Sequence, residues 1–239
     1  MVERQEGKAV VMMTRFVVGL TVQTAALTAL IILPAWAFTG RWSWERGWLT
    51  VGMFFLASAI GGLWLVTTDP GLVRERASIP RPQTRADGLA TLLIVVAVVG
   101  WFFAIGADTH RLHVLRPPPP WVSLGAGIGV FLIGLAIILW TFRVNSFAAQ
   151  VVKVQRKQRV IDTGPYAFVR HPMYGGGIVL LAGVALVLES SAAAVAALPF
   201  FVMAFWPRIM IEEATLRREL SGYAEYQSRV RARIVPGMF

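Results

Sequence analysis

Arg170, His171 and Tyr174 follow closely on a Gly164-Pro165-Tyr166 turn, and Arg208, Glu212 and Glu213 follow the next apolar stretch. Cations, acids, an imidazole and phenols so spaced can hold an ionic ligand, align a nucleophile or move a proton. Gly plus Pro builds a tight turn that aims Tyr166 in a defined direction. Pro172 restricts His171 to extended geometry and can open a helix at its first turn. A helix beginning near Met173 would present free backbone N–H groups to an anion, with Arg170 beside it. Gly175-Gly176-Gly177 removes side-chain bulk there, so a ligand or a neighbouring helix can approach the backbone. The run is not a dinucleotide-binding fingerprint, which needs a βαβ context. Arg208 and Glu212 are i, i+4 neighbours and are expected to pair. Glu212 and Glu213 point to different faces, and acids this close to apolar sequence are costly unless paired or liganded.

The elements that must position these residues are membrane helices. Of 239 residues, 56% are hydrophobic and only 15% charged. That balance marks an all-α, polytopic transmembrane bundle in one domain. Four segments reach the roughly 20 apolar residues needed to cross a bilayer: Phe16 to Phe38, Gly47 to Thr68, Leu89 to Ala107, and Trp121 to Phe142. Two shorter ones, Tyr174 to Leu188 and Ala192 to Pro207, form a hairpin around Glu189-Ser190-Ser191, giving about six membrane segments. Arms of that length would be about 22 Å of helix, short of a ~30 Å hydrocarbon core. From Glu212 to Arg233 the pattern predicts an amphipathic helix, with Leu216, Leu220, Tyr223 and Tyr226 on one side. Residues 1–142 thus supply four spans, and 143–239 carry the polar motifs.

Charge orients the bundle. Nineteen of the 23 Lys and Arg residues fall on one face if the N-terminus, loops 69–88 and 143–173 and the tail share it. Only Arg41, Arg46, Arg111 and Arg116 fall on the other, so both termini and both motifs are expected in the cytoplasm, at a bacterial inner or plasma membrane. Ala35-Trp36-Ala37 mimics a signal-peptide cleavage site, but the apolar stretch before it exceeds the roughly 7–15 residues of such peptides. The net charge of +10 flanks apolar runs instead of lining a face. It therefore points to anionic headgroups, with Lys153, Arg156, Lys157 and Arg159 as the densest patch, and not to nucleic acid. No cysteine is present, so thiolate chemistry and Cys-ligated metal are excluded, and three scattered histidines do not suggest a metal site. His110 and His113 read as exposed loop residues, Pro117 to Pro120 as a stiff extended connector, and Gly125 with Gly129 as a helix-packing pair.

Gly-Pro-Tyr, then Arg-His-Pro-Met-Tyr-Gly, then Glu-Glu-x-x-Leu, then Tyr-x-x-Tyr-x-x-Arg-Val resembles the isoprenylcysteine carboxyl methyltransferase family across residues 143–239. The resemblance implies a cleft for S-adenosylmethionine at the cytoplasmic ends of the last helices, reached sideways from the bilayer by a lipid-like or lipidated substrate. It assigns Gly164, Pro165, Tyr166, Arg170, His171, Tyr174, Glu212, Tyr223 and Tyr226 to cofactor binding, and Arg208 and Glu213 to catalysis. One departure is Gln158, where the family often has His. The ending Val230 to Pro236 is also similar to sterol and steroid reductases that use NADPH. Those typically carry Asn before the Tyr and an acid shortly after, where this chain has Met173 and Gly175-Gly176-Gly177. Methyl transfer is the better fit.

An activated methyl donor asks little of the protein beyond alignment and exclusion of water. A carboxylate acceptor needs only a cation to orient it, a role open to Arg208. An amine or thiol acceptor, including a phospholipid amine, needs a base, and Glu213 is the obvious candidate. A transporter subunit is disfavoured because the spans hold only Gln23 and hydroxyl residues away from their ends.

Overall fold

The computed structural model describes residues 2–69, 71–73, 84–147 and 158–238, the side chains of residues 2–12 and 15 excepted. Lys153, Arg156 and Lys157, expected at lipid headgroups, lie outside the described residues. The chain divides into two compact units, Met1–Ile79 and Pro80–Phe239. The first holds α1 (Val2–Thr39) and α2 (Glu45–Thr68). Gln23 Nε2 donates to Ser58 Oγ at 2.8 Å between them, and the Phe16 ring lies against Gly62. Such a polar pair is satisfied internally, as lipid-exposed helices require.

The second unit holds α3 (Arg85–Ala107), which ends in a π-helical turn over Asp108–Leu112, then α4 (Pro120–Val144), a 3-10 turn (Gly164–Ala167), α5 (Pro172–Val187), α6 (Ser191–Glu219) and α7 (Tyr223–Arg229). Among the described residues of the chain, five helices are long and apolar enough to cross a membrane, with α5 a shorter apolar helix. An integral membrane helical bundle is therefore the architecture.

Two helices of the second unit pack backbone to backbone. A Cβ on Gly127 or Gly134 of α4 would strike the α5 backbone at Val187 or Leu180, and one on Gly183 of α5 would strike Phe131. Gly176 faces the Gly134 carbonyl in the same seam. Small residues that let backbones approach drive association where the hydrophobic effect is absent. The expected packing pair, Gly125 and Gly129, is not used: nothing stands within 4 Å of a Cβ at either. The seam runs one face over, where glycines seven apart on α4 meet glycines seven apart on α5.

The hairpin differs from expectation in two ways. Its second arm does not stop at Pro207; α6 continues for 29 residues through Pro199 and Pro207. Proline is tolerated inside a membrane helix because neighbouring groups can satisfy the freed carbonyls. The turn also reaches as deep as the long helices do. Ser190 Oγ donates to Asp108 Oδ2 at 2.6 Å, Ser123 Oγ to the Leu186 carbonyl at 2.6 Å and Thr109 Oγ1 to the Leu188 carbonyl at 2.8 Å. The hairpin tip therefore meets the end of α3 and the start of α4. His110, expected to be exposed, is partly buried in that turn, while His113 is exposed. Pro119 is extended and Pro120 is the first residue of α4, so the proline run both connects and starts a helix.

The predicted amphipathic helix from Glu212 to Arg233 is instead three pieces. Gly222, at φ +82°, breaks it between α6 and α7, and an extended segment follows Arg229. Glycine is the residue that reaches this left-handed geometry without Cβ strain. The break turns Tyr223 and Tyr226 inward, both buried with Leu220 against Val160, Tyr166, Leu216 and Val230.

Candidate functional site

The polar groups converge at the end of the second unit opposite the hairpin tip. Gly164 takes φ +59° and backs onto Trp140 and Val144, so the turn needs glycine there. The 3-10 turn that follows contains Pro165, buried, and Tyr166. Asn145 Nδ2, at the C-terminus of α4, donates to Tyr166 Oη at 2.7 Å, and Tyr226 Oη donates to the Tyr166 carbonyl at 2.8 Å. Tyr166 thus joins α4 to α7. Burial pushes its phenol up to about 12, against the opposing bond from Asn145. Burial likewise raises Tyr223 and Tyr226, so all three phenols stay protonated at neutral pH.

Pro172 is the first residue of α5, as the sequence predicts, with His171 outside the helix at φ −125° and ψ 61°, short of the extended geometry expected of it. What sits at this helix start is the C-terminal segment. The Arg170 N–H donates to the Ala232 carbonyl at 3.0 Å and the His171 N–H to the Arg233 carbonyl at 2.8 Å. The three glycines have separate neighbours. Gly175 lies against the Ile234 carbonyl, Gly176 against α4, and Gly177 has nothing within 4 Å of a would-be Cβ. The bare backbone at Gly175 and Gly176 is therefore filled by the protein itself.

Glu213 is the centre of the charge cluster, buried at 5% exposure. Arg170 Nε donates to its Oε1 at 2.7 Å, His171 Nε2 lies 3.2 Å from the same oxygen, and Arg233 Nε donates to Oε2 at 3.3 Å. Arg170 Nη1 also donates to the carbonyls of Val230 and Arg231, both at 2.7 Å. Glu212 is less enclosed, with 31% of its side chain exposed; Tyr174 Oη donates to its Oε2 at 3.2 Å and His171 Nδ1 lies 4.0 Å away. A ladder of rings runs through the interior of the unit to the site: Trp101, Phe201, Phe205 and Tyr174 stand 5.1, 5.6 and 4.9 Å apart in turn, and His171 lies 5.7 Å from Tyr174.

Arg208 does not pair with Glu212. Its Nη1 donates to Asp87 Oδ1 and to Thr91 Oγ1, each at 2.7 Å, joining α6 to the start of α3. The guanidinium also reaches the Tyr174 phenol. Asp87 is 2% exposed and was not among the residues the sequence singled out. The signal existed, since an acid two residues before an apolar run calls for a partner, but nothing local names a partner 121 residues away. Arg233 and Asn145 were missed as well. Arg233 lay hidden in a basic tail, although Arg231, Ala232, Arg233 and Ile234 alternate in exposure as an extended strand does.

With that geometry in view, residues 122–221 match the family model for phospholipid methyltransferases. The matched stretch contains Arg170, His171, Tyr174, Arg208, Glu212 and Glu213, whereas Asp87, Tyr223, Tyr226 and Arg233 fall outside it. The family is one of the membrane methyltransferases of the isoprenylcysteine carboxyl type, in agreement with the resemblance of the motifs. No curated relative matches the chain.

Proposed function

We propose that this membrane-embedded methyltransferase moves a methyl group from S-adenosylmethionine to a lipophilic or lipidated acceptor that arrives through the bilayer, with a carboxylate oxygen as the nucleophile. The carrying observation is the engagement of Glu213 by three donors at 2.7 to 3.3 Å. A carboxylate so held is a poor proton acceptor, so an acceptor that is already ionised suits the site best.

The donor set fits the cofactor. Glu212, partly exposed beside Tyr174 and His171, is placed to meet a cationic sulfonium or ammonium group. When bound, S-adenosylmethionine supplies the activated methyl group. The protein's own residues hold shape: Arg170 and Arg233 fix Glu213, Glu213 orients His171, and Asp87 fixes Arg208 against Tyr174. Gly164, Pro165, Tyr166, Tyr223 and Tyr226 build the wall that joins α4 to α7. The basic asymmetry supports a cytoplasmic placement of this end of the bundle.

A second reading, N-methylation of a phospholipid amine, is favoured by the family match and by Glu212, which keeps an exposed edge for a proton. Labelled S-adenosylmethionine separates the two. Purified protein is given a prenylated carboxylate in one reaction and phosphatidylethanolamine in another, and the lipid product is treated with mild alkali. Release of labelled methanol from the first identifies an ester and supports the proposal. Alkali-stable label in the second sinks it in favour of the amine.

A further inference from the structure

The face of α6 turned away from its neighbours carries Val195, Pro199, Met203 and Trp206, an i, i+4, i+8, i+11 stripe that is exposed along its length. In a membrane protein such a stripe faces acyl chains or a lipid that slides along it. It ends at Trp206, which is 40% exposed, and there the Arg233 guanidinium lies over the indole at 4.9 Å. Tryptophan is at home at the boundary between hydrocarbon and headgroups. A stacked guanidinium keeps its planar fork pre-organised for an oxyanion.

Arg233 differs from the other arginines at the site. Arg170 is 7% exposed and gives three bonds, to one carboxylate and two carbonyls, inside the protein. Arg208 is 8% exposed and tied to Asp87 and Thr91. The Arg233 side chain is 26% exposed and holds Glu213 through a long 3.3 Å bond from Nε. A guanidinium has five donor hydrogens, so that bond leaves donors for a second partner. Arg233 therefore links the lipid-facing stripe to the buried acid.

We propose that Arg233, seated on Trp206, binds an oxyanion of the lipid acceptor, a carboxylate or a phosphate, and so selects anionic amphiphiles at the mouth of the site. This rests on the reading of the site as a lipid methyltransferase and adds the residue that recognises the acceptor.

The test uses the whole protein in an uncharged maltoside detergent and four probes: decanoate, decyl phosphate, decanol and S-adenosylhomocysteine. Calorimetric titration of wild type is expected to show one of the two anions binding about tenfold or more tighter than decanol, as a charge-assisted pair allows. Preference for decanoate identifies the reacting carboxylate as the bound group; preference for decyl phosphate identifies a headgroup. In Arg233→Gln the anion preference should vanish while decanol affinity stays within about twofold, and Arg233→Lys should keep part of the preference. An anion preference that survives in Arg233→Gln overturns the proposal. So does loss of S-adenosylhomocysteine binding in both variants, which would make Arg233 a cofactor residue or a structural one. Absence of S-adenosylhomocysteine binding in wild type, with the anion preference intact, would fault the methyltransferase reading and leave the Arg233 site standing.

Discussion

Replacing Arg170 by alanine would remove the group that ties the C-terminal segment to α6. The side chain is 7% exposed, and it makes one bond to Glu213 and two to backbone carbonyls, all at 2.7 Å. Hydrogen bonds to charged groups contribute about 1.5–3 kcal/mol each, but three bonds from one guanidinium do not add. After the change Glu213 keeps only His171 and Arg233, at 3.2 and 3.3 Å. Breaking a buried ion pair costs about 3–5 kcal/mol, and that is the expected loss of stability. The backbone bonds from the N–H groups of residues 170 and 171 to Ala232 and Arg233 then carry the segment with only the long Arg233–Glu213 bond and the Arg233–Trp206 contact beside them. Hydrogen exchange reads them directly, since the two N–H groups are protected only while the segment is docked. Thermal unfolding in detergent should show the stability loss, and exchange at residues 170 and 171 should rise by at least tenfold relative to α5. Arg170→Lys should fall between, because an ammonium cannot reach three acceptors in a fork. A variant that melts within about 1 kcal/mol of wild type with unchanged exchange would refute this account of the cluster.

Asp87→Asn should cost about 3 kcal/mol by removing the buried carboxylate that faces the Arg208 charge, and the double change with Arg208→Gln should recover more than half of it in a mutant cycle. Gly183→Ala drives a methyl into the Phe131 backbone and should destabilise the second unit by about 1–3 kcal/mol, whereas Gly125→Ala should be silent in the same melt. Tyr226→Phe loses the bond to the Tyr166 carbonyl and should cost about 0.5–1.5 kcal/mol. The Tyr166 phenol is held at about 12 against an ordinary 10.0, so the folded state keeps its proton more tightly than the unfolded one. Its contribution is complete below about pH 10 and is lost as pH climbs to about 12; phenolate absorbance should lag a free tyrosine over that window and catch up when helicity is lost.

Hydropathy made the long spans legible because a run of apolar residues has few other uses. The residues around Glu213 were legible too, because Arg170, His171, Tyr174, Glu212 and Glu213 are costly beside lipid and announce partners. Which partners they take was not legible. Arg208 has an acid four residues on, yet it reaches Asp87 across the bundle, since helix spacing says what can pair and only tertiary packing says what does. Glycine spacing was equally ambiguous. Gly125 with Gly129 and Gly127 with Gly134 both fit close packing, and the choice is made by Gly176 and Gly183 on a helix some fifty residues later. The second hairpin arm reads as ending at Pro207 because its apolar run stops there at Arg208, whereas the helix runs on to Glu219. Hydropathy marks where lipid contact stops and not where a helix does. Gly222 was overlooked inside a sequence whose amphipathic pattern runs smoothly across it.

The strap formed by residues 230–233 has a consequence for biosynthesis. Ribosomes deliver a chain in order, and domains assemble as their parts emerge. Helices α3 to α6 all precede this stretch in the chain. Until it emerges, the Arg170 and His171 N–H groups have no carbonyl to meet, and Glu213 lacks Arg233. Released chains truncated before Val230 should therefore be membrane-inserted yet protease-sensitive at the Gly164–His171 turn. Completion of the site thus waits on residues made after every helix that carries its other groups.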